Sequence, residues 1–207
     1  MKLRVFLLSL AAIGLFSQGQ EAKPKPKVEF TTSLGSFVVE LEPDAAPKTV
    51  ENFLDYVNSG FYKGTTFHRV ISTFMIQGGG VSSDGAQKEP TKRPVPNEAR
   101  QALEKGLTNV RGGLAMARTS APDSATCQFF INVVDNPGLD YPGHDGAGYC
   151  VFGRVAEGMD TVDKIRNVKT NQNNKPLEAV VITGAKLLGG PAVQKTRPTN
   201  NQNPAKK

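Results

Sequence analysis

The sequence predicts a mainly-β domain, a barrel or sandwich of many short strands, accompanied by two helices. Three observations predict it. Short apolar runs recur between Gly-rich turns. One alternating segment at the start of the folded region has a turn at its centre. Only two segments carry the i, i+3, i+4 spacing of a buried helical stripe.

Taken in order, residues 28–41 (VEFTTSLGSFVVEL) alternate apolar and polar on both sides of Ser33-Leu34-Gly35-Ser36, which predicts a hairpin. Residues 43–60 predict the first helix: Pro47 suits a first turn, Val50, Phe53, Leu54 and Val57 share one stripe, and Gly60 supplies the stop. Strands are predicted at Phe67 to Ile71, Phe74 to Gln77, Leu114 to Ala117, Phe129 to Val134 and Tyr149 to Val155. Gly158 to Val168 predicts the second helix, with Met159, Val162 and Ile165 at helical spacing, and 179–188 (AVVITGAKLL) a last strand. Between them, 80–113 is long and polar, with Pro90, Pro94 and Pro96. A segment of that length is functional or hides small elements.

The ends differ from this middle. Lys2 and Arg4 precede an apolar run from Val5 to Phe16, and Ser17 and Gly19 occupy the −3 and −1 positions of a cleavage site. Residues 1–19 therefore predict a signal peptide and export to a periplasmic or other extracytoplasmic space. Residues 20–27, with alternating Lys and Pro, predict an extended linker. Residues 190–207 predict a disordered basic tail, leaving a folded domain at 28–189.

That partition explains the charge. The chain carries a formal +6, which would suggest a nucleic-acid or membrane-surface partner. Nine of the 25 basic residues lie in the flanks. The domain holds the other 16 against 18 of the 19 acids, a net −2. A nucleic-acid-binding domain is not supported. No stretch of 18 apolar residues exists, so no stable membrane insertion is expected after processing.

Most site chemistries are then excluded. Two Cys and two His cannot build a disulfide framework or a conventional zinc site, and no metal is expected. There is no nucleophile elbow and no His-Glu-x-x-His pair. The three glycines at 78–80 are not followed by Lys-Ser/Thr, so they are no phosphate loop. Asp135 to Asp145 lacks the spacing of a calcium loop. What remains is Arg69, Phe74, Met75 and Gln77 in one largely apolar stretch, and Gln128, Phe129 and Phe130 in another. A charged Arg among aromatics is costly unless it is paired or has a task, and on spacing alone a core strand with Arg69 snorkelling outward is the simpler reading.

The motifs TVENFLDYVNSGFYKGTTFHRVI (49–71), FMIQGGG (74–80), LAMAR (114–118), TCQFFINV (126–133) and VFGRVAEGMD (151–160) occur in that order. Over about 28–188 the sequence resembles the cyclophilins, the cyclosporin-binding peptidyl-prolyl cis–trans isomerases, and most of all their exported bacterial branch. The resemblance implies a closed eight-stranded antiparallel β-barrel capped by two α-helices. It implies rotation of X-Pro bonds in unfolded or partly folded polypeptides, with no cofactor. It assigns Arg69 as donor to the prolyl nitrogen and Phe74, Met75, Phe130 and Leu139 as the apolar pocket. Gln77 would hold a substrate carbonyl or Arg69. The backbone of Ala117 and Arg118 would bind the flanking peptide, Gln128 would line a neighbouring pocket, and Tyr149 stands where many members have His.

Two departures stand out. Gly138 occupies a position that is often aromatic, so weakened cyclosporin binding is expected. Arg118 replaces a frequent Asn and is expected to favour acidic residues near the proline. Export would permit a Cys127–Cys150 disulfide, but small buried β positions favour two free core thiols, and the sequence leaves the choice open. A monomer is expected. The competing function is a proline-peptide-binding chaperone or scaffold with little catalysis, against which the intact Arg69, Phe74, Gln77 and Phe130 argue.

Overall fold

The computed structural model describes residues 24–189; the proposed signal peptide, the first part of the linker and the tail lie outside these. β1 (Lys27–Thr32) and β2 (Gly35–Leu41) form the predicted hairpin around Ser33-Leu34. The turn is fixed locally. Thr32 Oγ1 donates to the Gly35 carbonyl at 2.8 Å and accepts from Leu34 N–H at 3.1 Å.

Six further strands follow: β3 (Arg69–Ile71), β4 (Met75–Gly78), β5 (Gly113–Met116), β6 (Phe129–Asn132), β7 (Val151–Glu157) and β8 (Ile182–Leu188). All eight form one antiparallel sheet in the order β3-β4-β6-β5-β7-β2-β1-β8. β3 and β8, the ends of that order, do not pair as strands. The chain just before β3 instead reaches the start of β8, through a Thr66–Val181 bridge and the bonds Phe67 N–H to Val180 O (3.0 Å) and Ile182 N–H to Thr65 O (2.7 Å). The sheet curls round and its two ends meet at this seam.

The interior is aromatic. Phe30, Phe37, Phe53, Tyr62, Phe67, Phe129 and Phe152 are all buried, and Phe129 packs edge-on against Phe53, Tyr62 and Phe67. Helix α1 (Pro47–Asn58) contributes Val50, Phe53, Tyr56 and Val57 to this core, while Leu54 is only partly buried. Helix α3 (Met159–Arg166) buries Val162 and Ile165. It is entered through Gly158 at φ +78, where a Cβ would lie 2.6 Å from the Ser36 carbonyl oxygen. Only glycine fits that corner.

A third helix was not predicted. α2 (Ala99–Glu104) lies in the long 80–113 segment and has only six residues, too few for a recognisable stripe. Its N-cap residue, Glu98, does work elsewhere. Ala46 offers no side-chain cap to α1, and the buried Glu98 carboxylate takes over. It accepts from Lys48 N–H (3.2 Å), Thr49 N–H (2.8 Å) and Thr49 Oγ1 (2.8 Å). A carboxylate at a helix N-terminus also suits the helix dipole. Glu98→Ala would leave these donors unpaired, and the expected loss is about 2 kcal/mol of unfolding free energy. Urea denaturation checks it; a loss indistinguishable from zero would show that the cap contributes nothing.

One boundary shifts and one open alternative is decided. The linker drawn at 20–27 overlaps the fold: Lys27 opens β1, the Pro26 carbonyl accepts from Leu41 N–H (2.8 Å), and Lys25 pairs with Glu42 (2.8 Å). Cys127 and Cys150 are both buried and free, so the disulfide is absent. Burial raises both thiols above their ordinary range, Cys150 to about 12, which leaves essentially no reactive thiolate.

Candidate active site

Strand register assembles the site. Arg69 on β3 is opposite Gln77 on β4, Gln77 is opposite Phe130 on β6, Phe130 is opposite Ala115 on β5, and Ala115 is opposite Val151 on β7. One row therefore crosses five strands on the outer face of the sheet. The residues beside this row point the other way, because side chains alternate along a strand. Ile76, Leu114 and Phe129 fill the interior. Met75, Ala115, Phe130 and Val151 form a second, separate apolar cluster, with Phe74, Leu139 and Tyr149 packed at its margin. An outward face this apolar is unusual for a sheet wall with a filled core behind it.

This outer cluster is the floor of a pocket of about 110 Å³, lined by Arg69, Phe74, Met75, Gln77, Ala117, Arg118, Phe130, Leu139 and Tyr149. The tenth predicted site residue, Gln128, lines the adjoining pocket with Gln77, Ala117, Arg118, Thr119, Ser124 and Thr126. Sequence reasoning missed Thr119, Ser124 and Thr126. Only Thr126 carried a signal, since it lies in the same TCQFFINV motif as Gln128.

Local structure places each wall. Phe74 sits in the turn between β3 and β4, where its carbonyl accepts from Val133 N–H (3.1 Å) and Asn136 Nδ2 (3.0 Å). Leu139 ends a single 3-10 turn (Pro137–Leu139), and its carbonyl accepts from Tyr149 N–H at 2.8 Å. The Tyr149 ring meets Phe130 edge-on at 5.7 Å. Beneath them the buried Asn132 amide donates to Asn109 Oδ1 (3.1 Å). Asn109 in turn donates to Asp140 (2.9 Å) and the Tyr149 carbonyl (3.3 Å), which ties the floor to the rim.

The polar side is a relay. Arg69 is exposed, and its Nη1 donates to Gln77 Oε1 at 3.3 Å. Gln77 Nε2 donates to Gln128 Oε1 at 3.0 Å. The second bond fixes which end of the Gln77 amide faces Arg69. Gly80 makes room for this: a Cβ there would lie 2.4 Å from Gln128 Cγ. The third glycine of FMIQGGG therefore answers to a side chain lying over it.

Arg118 overturns an expectation. Its side chain is only 2% exposed and pairs with Asp145. It also donates to the carbonyls of Gly148 and Thr119, and its guanidinium stacks over the Tyr149 ring at 4.3 Å. The charge is neutralised and covered, so it offers nothing to an acidic substrate residue. Gly138 also leaves no empty notch, because a Cβ there would lie 2.5 Å from His144 Nε2.

Two titratable groups near the pocket are shifted. The Asp145 carboxyl is held down to about 2 by hydrogen bonds, first from Arg118 and then from the Ala147 and Gly148 amides. The ion pair is thus complete above the ordinary carboxylate range and is lost only as the pH falls to about 2. Burial lowers His68 below its ordinary value, with Arg69 beside it adding to the shift, and its Nδ1 has no partner among the described residues. Among those residues no three His, Cys, Asp or Glu side chains gather as metal ligands.

The chemistry available is that of a guanidinium at the edge of a ring-sized apolar pocket. Known proteins are similar to this chain in sequence and fold. A family model described as cyclophilin type peptidyl-prolyl cis-trans isomerase/CLD matches residues 27–187. The chain is 50% identical over 188 residues to peptidyl-prolyl cis-trans isomerase A of Dickeya dadantii (strain 3937), covering 89% of this chain and 94% of that protein. It is 53% identical over 161 residues to peptidyl-prolyl cis-trans isomerase B of Escherichia coli (strain K12), covering 75% and 95%. Among solved structures, a cyclophilin type peptidyl-prolyl cis-trans isomerase of Cryptosporidium parvum is similar at TM-score 0.66 and 29% identity, covering 81% of this chain and 99% of that one. The same protein crystallised in the presence of the dipeptide Ala-Pro is similar at TM-score 0.65 and 29% identity, covering 79% and 99%.

Proposed function

Because the chain belongs to the cyclophilin-type peptidyl-prolyl cis-trans isomerases and is an enzyme acting on proline-containing peptides, we propose that it turns X-Pro bonds in exported polypeptides with Arg69 as the donor to the prolyl nitrogen. The observation that carries the mechanism is the Arg69 guanidinium at the mouth of the Phe74, Met75, Phe130 and Leu139 pocket.

The barrier to X-Pro rotation is about 18–20 kcal/mol and comes from amide resonance. Twisting the bond removes that resonance and leaves a lone pair on the nitrogen. A donor aimed at the nitrogen stabilises the twisted state and not the planar one, which is the requirement for catalysis. No covalent intermediate forms, so no nucleophile or cofactor is needed. The proline ring sits in the apolar pocket, which fixes one side of the bond while the other turns. Gln77 and Gln128 hold Arg69 in line.

The flanking peptide lies along residues 117–118. Ala117 N–H is already bonded to the Gln128 carbonyl (3.0 Å). Among the described residues nothing occupies the Ala117 carbonyl or Arg118 N–H, and these two groups can pair with an extended substrate. Cyclosporin binding is proposed to be weak, since Gly138 carries no aromatic ring.

The leader-like residues 1–19 support action on chains that fold outside the cytoplasm, where slow proline isomerisation limits folding. Fractionation of cells making the full chain tests this. The expected result is isomerase activity in the extracytoplasmic fraction, on a protein whose N-terminus follows Gly19. Full-length protein confined to the cytoplasm would overturn the export reading and leave the enzyme intact.

A further inference from the structure

We propose that Arg118 is a positioning residue of the proline pocket: its buried guanidinium locks the 145–149 rim to the 117–119 segment and so holds the Tyr149 ring in place. The proposal rests on the reading of that pocket as the substrate site.

A guanidinium excluded from water is retained only when its donors are satisfied. Arg118 meets that condition through one short stretch of chain. Nε and Nη2 both donate to the Gly148 carbonyl (3.1 and 2.8 Å), Nη2 also reaches Asp145, and Nη1 donates to its own neighbour, the Thr119 carbonyl (3.0 Å). Asp145 is a hub in turn. Its Oδ1 accepts from Ala147 N–H and Gly148 N–H, both at 3.1 Å, while its Oδ2 holds Arg118. Asn97 adds a further donor to the Gly148 carbonyl (3.1 Å). The rim therefore closes on Arg118 from both sides.

The consequence reaches substrate through Tyr149. Its ring lies between the guanidinium, at 4.3 Å, and Phe130, at 5.7 Å. Its backbone N–H carries the Leu139 carbonyl, so a shift of residue 149 moves two walls of the pocket together. Lysine cannot substitute. It is a point charge without the planar fork that lets one group bond two carbonyls and a carboxylate while stacking on a ring.

The test is a double-mutant cycle on the full chain, read as kcat and KM for a proline peptide, with thermal unfolding of each variant. Arg118→Lys is expected to raise KM about tenfold, the effect of one displaced apolar wall, with kcat nearly unchanged. Tyr149→Ala is expected to raise KM similarly. The two together should do little more than Tyr149→Ala alone, because Arg118 acts through that ring. Multiplicative effects, or an unchanged KM in folded Arg118→Lys, would overturn the proposal. Should Arg118→Lys fail to fold, Asp145→Asn serves instead: the carboxylate is half-exposed, and the same rise in KM, silent in the Tyr149→Ala background, is expected. A multiplicative result there overturns the clamp as well. Failure of the pocket reading is separately visible as an unchanged KM and kcat in Phe130→Leu.

Discussion

Arg69→Ala is expected to lower kcat/KM for X-Pro rotation about 100-fold, the usual cost of removing one preorganised donor to a transition state. The stability of the variant should match the wild type. Arg69 is exposed, and among the described residues its side chain holds only the 3.3 Å bond to Gln77, so little folding energy is at stake. The loss should fall mainly on kcat, because the donor is useful only once the nitrogen has gained its lone pair. A protease-free assay that follows cis-to-trans conversion of a short proline peptide reads this directly. A variant within twofold of wild type would remove Arg69 from the mechanism, without touching the family assignment. Lysine at the same position should restore only part of the rate, since it keeps the charge but not the fork that also engages Gln77.

The site residues were legible through the ordered family motifs, whereas spacing alone marked only two unusual apolar runs. The apolar runs FMIQ and FFINV fit neither a helix stripe nor a strand with one wet face. The structure explains them: β4 and β6 are apolar on both faces, with Ile76, Phe129 and Ile131 inside and Met75 and Phe130 outside. The hairpin and both longer helices were legible as local spacing closed by local turns. What escaped depends on long-range pairing. Glu98 caps a helix that begins 51 positions earlier in the chain at Pro47, and nothing near Pro47 announces it. Arg118 read as a free charge because its neutralising partner, Asp145, is 27 positions away. The six-residue α2 lacked the length for a period to register. The seam of the sheet was equally invisible, being made by isolated bonds between 65–67 and 180–182.

The adjacent residues Phe129 and Phe130 should fail in opposite ways. Phe129 is fully buried in the interior and touches Phe30, Phe53, Tyr62 and Phe67. Phe129→Ala opens a sealed cavity there, and the expected cost is about 3–5 kcal/mol. Against a typical total of roughly 5–15 kcal/mol, the variant should be barely folded at 37 °C. Phe130 is nearly as buried, at 4% exposed, but the small cluster around it opens into the pocket. The space left by Phe130→Ala joins an existing cleft that water already reaches, so the cavity penalty is largely avoided. Its stability loss should be about half that of Phe129→Ala or less. Its kcat/KM should nevertheless fall about 100-fold, because the proline ring loses the floor that holds it under Arg69. Denaturant unfolding and the isomerisation assay on both proteins separate the two outcomes. Equal destabilisation by the two changes, or an active Phe130→Ala enzyme, would mean that the outer cluster is ordinary core and that the ring binds elsewhere. The expected split follows from the alternation of side chains along β6, which gives one aromatic to the fold and its neighbour to the reaction.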